Sequence, residues 1–261
     1  MDFTQLIQSL KQQSNTSWSA TIPDEWMQGR TTYGGLSAAL CLEPVLLSDS
    51  ELPPLRSAQI NFIGPTGGDV IINTKVLRQG KSVTFIGAEI IGEKGLATKA
   101  IFCFGARRES KLDKVFGLPP KIINLADAKQ FTSFKSAPTF TKNFECLSAK
   151  TGLPNQDSNE VEMYMWARHK DQNASGLSAL LGVADIPPPA VLPLFKHPAP
   201  ISSMTWMMNF ISDAPTTDDR WWLMRASSEH AKDGYSSQDL TIWNASRELV
   251  VTGRQNMAIF Y

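Results

Sequence analysis

Asp185 is a lone carboxylate in an apolar run. It lies in LLGVADIPPPAVLP, Leu180 to Pro193, and Pro187, Pro188 and Pro189 follow closely. Burial raises the pKa of a carboxyl toward neutrality, and a positioned base is worth ~10²–10⁴-fold in rate. The same residue also reads as a helix N-cap, because a carboxylate just ahead of prolines accepts the orphan N–H groups of a first turn. Gln255 is the second polar intruder. In ELVVTGRQNMAIFY it shares a row with Leu249, Val251, Gly253, Met257 and Ile259, the row that faces a core. A buried amide without partners costs about 1–3 kcal/mol, so something polar must meet it there. That partner is backbone if the glutamine is structural, and a site if it is not. Gly34 and Gly35 open an apolar stretch, YGGLSAALCLEPVLL. A helix starting there presents free N–H groups and a partial positive charge, and glycine lets a carbonyl come close. This is an oxyanion site or a plain turn before a helix.

Other chemistries lack their residues. The sequence has no Gly-x-Ser-x-Gly elbow, no Cys-x-x-Cys, no phosphate-binding loop and no Gly-x-Gly-x-x-Gly. His169, His197 and His230 are scattered, and no metal cluster is expected. The 25 Lys and Arg balance 25 Asp and Glu, which argues against a nucleic-acid partner. No apolar run is long enough to predict a transmembrane helix, and the polar opening MDFTQLIQSLKQQ does not read as a signal peptide. Cys41, Cys103 and Cys146 are odd in number and far apart, as expected of reduced thiols in a cytoplasmic protein.

The elements that must position these residues come in two similar sets. In LRSAQINFIG, Ala58, Ile60 and Phe62 alternate with polar residues, which predicts a half-buried strand. Three more apolar runs follow to residue 104, broken at RQGKS and GEKG, giving an antiparallel meander. Residues 201–261 repeat the pattern, with Met204, Trp206, Met208 and Phe210 on one face and Asn209-Phe210-Ile211 echoing Asn61-Phe62-Ile63. Each block follows a stretch that is apolar nearly all round: Tyr33–Leu47 and Leu180–Pro193. Such a helix needs wrapping, and a sheet with one apolar face supplies it. The expected class is α+β, a double hotdog of two antiparallel sheets, each wrapped around a central helix: residues 1–106 as the first unit, 107–140 as a linker and 141–261 as the second.

YGGLSAAL, LRQGKSV, VADIPPPAV and the long run RWWLMRASSEHAKDGYSSQDLTIWNASRELVVTGRQ, in this order and spacing, resemble the TesB-like (thioesterase II) acyl-CoA thioesterases. The resemblance covers most of the chain except about 107–160. It implies that Asp185 activates a water, that Gln255 orients it, and that a hydroxyl at the start of a strand completes the set. Alignment on Asn209-Phe210 selects Ser203, although it falls on the polar face of its strand and Ser202 and Thr205 stand beside it. Thr205-Trp206 replaces an Asp-His pair carried by many relatives. The implied reaction is hydrolysis of an acyl-CoA thioester. A thiol of pKa near ~8.5 leaves well, so positioning, a base and an oxyanion site suffice, without metal or cofactor. Leu40 and Cys41 offer no second carboxylate, which implies one site per chain, between the halves. Arg78, Lys81, Arg107 and Arg108 are candidates for the CoA phosphates. The Met204–Phe210 row is either core or an acyl tunnel. A homodimer is expected. Two alternatives stay open: a non-catalytic acyl-binding module, and a hotdog dehydratase or hydratase that would pair a histidine with the aspartate.

Overall fold

A computed structural model describes residues 1–130, 137–150 and 161–261. The first half contains α1 (Phe3–Gln8), β1 (Lys11–Ser14), β2 (Ser17–Ile22), the short β3 (Met27–Gln28) and β4 (Thr31–Thr32), α2 (Gly34–Ser48), β5 (Leu55–Phe62), β6 (Gly68–Gln79), β7 (Val83–Gly92) and β8 (Gly95–Gly105). The second half contains β9 (Lys129–Gln130), β10 (Phe144–Ser148), β11 (Glu162–His169), α3 (Gly176–Ala184), β12 (Ile201–Phe210), β13 (Trp222–Lys232), β14 (Tyr235–Trp243) and β15 (Leu249–Ile259). The meander strands alternate buried and exposed residues, and their breaks fall at the turns expected from the sequence.

Among the described residues, thirteen strands join in one antiparallel sheet rather than the expected two, because β5 and β12 pair edge to edge, in the order β1-β2-β6-β7-β8-β5-β12-β15-β14-β13-β11-β10-β9. The halves meet where β5 pairs with β12. Asn61 faces Thr205 and Ser57 faces Asn209, symmetrically about the Gln59–Met207 pair. The repeat seen in the sequence is thus a local two-fold axis through that pair. The first half is larger than the expected helix plus four strands, whereas in the second the run VEMYMWARHK, which the sequence also reads as a strand, forms β11. A strand preceding each central helix, β2 or β11, extends the sheet on its far side.

The sheet wraps α2 and α3, which pack on each other inside the main core. α2 starts where expected, and Gly34 through Leu42 are all buried. α3 departs from the expected Leu180–Pro193. It begins earlier, at Gly176, and stops at Ala184, because the residue before a proline avoids helical geometry and proline lacks an N–H to continue the ladder. A second, smaller core lies elsewhere: Trp166, Trp221, Leu223 and Trp243 are covered by Ile122, Leu125 and Ala128. Among the described residues, no helix is long and apolar enough to cross a membrane.

Candidate active site

Asp185 follows α3 directly, with φ −91° and ψ 5°. The N-cap reading therefore fails: the residue ends a helix, and no helix starts immediately after it. A carboxylate is poorly placed beside a helix C-terminus, where backbone carbonyls concentrate partial negative charge. The complement comes from the other helix. α2 begins beside the end of α3, and the Gly35 N–H donates to the Asp185 carboxyl. A Cβ on Gly34 would lie 2.6 Å from Asp185 Oδ2, so the missing side chain admits the carboxyl to this helix terminus. Burial pushes the Asp185 pKa up to about 7, with the donors Gln255 and Gly35 pulling against it. The residue as a whole keeps partial exposure, while its carboxyl is deeply buried.

Gln255 is buried, as its row in the strand required. Its Nε2 donates to Asp185 Oδ1 at 2.8 Å and to Ser203 Oγ at 2.9 Å. Ser203 departs from its expected position on the polar face. The β12–β15 register steps from Ser203↔Met257 to Thr205↔Asn256, so two residues of β12 are set against one of β15. This bulge reverses the alternation, and Ser203 falls on the inner face opposite buried Met257. Ser202 and Thr205 are both exposed. The structure thus brings Asp185, Gln255, Ser203, Gly34 and Gly35 together.

Two residues of this neighbourhood were missed in the sequence. Gln238 on β14 is 2% exposed, and its Nε2 donates to Gln255 Oε1 at 3.0 Å. Its own Oε1 accepts the Ala190 N–H at 2.9 Å. It shares a strand row with buried Leu240 and Ile242, the same signal that picked out Gln255. Tyr33, just before α2, is buried, and its hydroxyl has no hydrogen-bond partner among the described residues. Burial, and then the nearby Asp185 charge, raise its pKa well above the usual phenol value. A tyrosine at a glycine-rich helix start reads as core, so composition gave no sign of it.

Other candidates lie elsewhere. Trp206, Met208 and Phe210 are core residues, each under 5% exposed. Arg107 pairs with Asp213, and Arg108 donates to Ser82. Burial holds His169 down to a pKa of about 4, and its Nε2 lies 2.9 Å from the Ala179 carbonyl. A hollow of about 380 Å³ lies over the β5–β12–β15 seam. Outward residues such as Gln59, Asn61, Met207 and Arg254 line it together with Gln255, whereas Asp185 does not.

Residues 22–105 match the family model of the acyl-CoA thioesterase N-terminal domain, and residues 122–259 match that of the C-terminal domain. No curated protein matches the chain. Among solved structures, a protein of unknown function with a hot dog fold from Alicyclobacillus acidocaldarius superposes with a TM-score of 0.88 at 18% identity. The match covers 100% of this chain and 99% of that one. The tesB protein of Mycobacterium avium subspecies paratuberculosis gives 0.78 at 13% identity, covering 99% of each chain. The acyl-CoA thioesterase II TesB2 of Mycobacterium marinum gives 0.71 at 15% identity, covering 98% of each. At these identities the structural matches show the double hotdog fold. The two domain matches, in order and spanning most of the sequence, show that the chain belongs to the acyl-CoA thioesterase family and is a thioester hydrolase.

Proposed function

We propose that the protein hydrolyses an acyl-CoA to the free acid and CoA, using a water activated by Asp185. The observation that carries this reading is the Asp185 carboxyl itself. Burial pushes its pKa up to about 7, the residue as a whole keeps partial exposure, and the carboxyl shares the Gln255 amide with the Ser203 hydroxyl. In this mechanism Gln255 and Ser203 orient the water. Its oxygen attacks the thioester carbonyl while Asp185 takes the proton. The start of α2, Gly34 and Gly35, stabilises the oxyanion. As Asp185 loses its charge, negative charge develops on the carbonyl oxygen, and one helix terminus serves both. The tetrahedral intermediate then expels CoA as thiolate, and the thiolate recovers a proton from Asp185. A dehydratase-like reading finds less support, because no histidine hydrogen-bonds Asp185 among the described residues.

Asp185→Asn tests the reading. Release of CoA thiol should fall by ~10²–10⁴-fold, as expected for loss of a general base. Asparagine has one acceptor end, whereas Gly35 and Gln255 both donate, so circular dichroism must accompany the assay. A folded variant that turns over acyl-CoA like the wild type rejects Asp185 as the base. Acyl-CoA bound by the wild type but never cleaved would leave a binding module instead.

The units assigned to this function are residues 1–106 and 141–261, joined by 107–140. The working form is a homodimer. Outward-facing Val76, Leu77 and Phe85 are 56%, 49% and 37% exposed, an apolar area that suits a second copy. Light scattering at micromolar concentration should give twice the mass of the chain, and a strict monomer would contradict the assignment.

A further inference from the structure

We propose that Gln238 is a positioning residue that fixes which end of the Gln255 amide faces Asp185. This rests on the reading of Asp185 as the base. A backbone N–H can only donate, so the Gln238 atom that the Ala190 N–H meets at 2.9 Å must be the oxygen. The other end of Gln238 is then its NH₂, which donates to Gln255 Oε1 at 3.0 Å. With its oxygen engaged, Gln255 turns its own NH₂ toward Asp185 and Ser203. The two ends of an amide have nearly the same shape, so sterics do not choose between them; the partners do. A reversed Gln255 would set its oxygen against the Asp185 carboxylate and its NH₂ against the NH₂ of Gln238.

Two consequences follow from this polarity. One N–H of Gln255 supports the ionised form of Asp185, the form that accepts a proton. Another occupies Ser203 Oγ as an acceptor, so the serine proton points away from Gln255. Ala190 lies in the proline-rich segment that begins at Asp185. The segment that carries the base therefore also sets the direction of the amide that serves it.

Gln238→Met keeps the length and removes the polarity. Two measurements are needed: the pH profile of hydrolysis, and the titration of the Asp185 carboxyl carbon by ¹³C NMR. Without the relay, Gln255 can present its oxygen to protonated Asp185. Both midpoints should then rise by about one pH unit, the scale of a hydrogen bond to an ionised group. At pH 7 this cuts kcat about fivefold, with recovery at higher pH and KM unchanged. A purely structural glutamine would lower the melting temperature and leave both midpoints in place. Should the Met variant not fold, Gln238→Glu retains an acceptor for Ala190. Once ionised it has no N–H for Gln255, and the same upward shift is expected. Wild-type midpoints in a folded Gln238 variant would overturn the relay. If Asp185→Asn is still inactive in the same assay, the base assignment survives alone; if Asp185→Asn is fully active, both fall.

Discussion

Asp185 stays protonated in the folded chain at pH values where the unfolded chain has already ionised it, because burial pushes its pKa up to about 7. Below about pH 4 both states hold the proton, and the contribution to stability is fully present. Between about 4 and 7 only the unfolded state has released it, so stability falls by up to about 1.4 kcal/mol per pH unit. Above 7 the contribution is gone. Asp185→Asn has no such proton. Its unfolding free energy in urea should gain on the wild type from pH 4 to 7 and hold a constant difference beyond. A difference that does not vary with pH would contradict the raised pKa. At this scale the sequence was partly legible. Asp185 and Gln255 stood out because a polar residue in an apolar row demands a partner. Gln238 carried the same signal in YSSQDLTIW and was passed over. The face of Ser203 could not be read at all, because alternation assumes an unbroken ladder and the bulge depends on the partner strand.

α2 and α3 run so that the end of each lies near the start of the other. Asp185 reaches Gly35, and Glu43 accepts from the Ser178 hydroxyl at 2.5 Å. The two glycines at this crossing should therefore respond differently to alanine. At Gly34 the new Cβ would meet Asp185 Oδ2 at 2.6 Å and push the carboxyl from its seat, and it would also press on the Phe62 ring at 3.1 Å, which is a side chain able to shift. Hydrolysis should drop, with a smaller loss of stability than at Gly35. At Gly35 the Cβ would meet the Gly182 carbonyl oxygen at 2.6 Å, in the backbone of α3. That variant should lose about 1–3 kcal/mol, the range for overpacking. Thermal melts and thiol-release assays on the pair check both. A Gly34→Ala enzyme with full activity would place the carboxyl outside the reaction. The extent of α2 and the late meander strands were legible because an unbroken apolar run, turns and alternation marked them. α3 ends at Ala184, short of the apolar run that continues to Pro193, because hydrophobicity does not mark where prolines stop a helix. β1 carried no pattern to read, since all four of its residues are exposed.

The whole molecule is a unit stated twice, and the sequence showed that repetition. It did not show that both copies would share one sheet, because the β5–β12 pairing joins residues far apart in sequence with no turn between them. The local two-fold axis assigns each site residue a counterpart. Trp206 pairs with Gln255, and Ala58, its match across the axis, pairs with Phe102; Phe102 in turn pairs with Ile86 as Gln255 pairs with Gln238. The chemical wall of one half is thus an apolar wall in the other, with Phe102 and Ile86 both buried. Mutation should weigh on the two copies unequally. Phe102 and Ile86 answer only to volume, and exchanges among apolar residues of similar size should cost under about 1.5 kcal/mol. Gln255 and Gln238 answer to direction as well as size, and no apolar residue replaces them. A saturation screen scored by hydrolysis should return several acceptable residues at each of the first two positions and almost none beyond glutamine at the others. A duplicated chain of this kind can drift in one copy while the other is held fixed, and the drifting copy is the one that wraps α2.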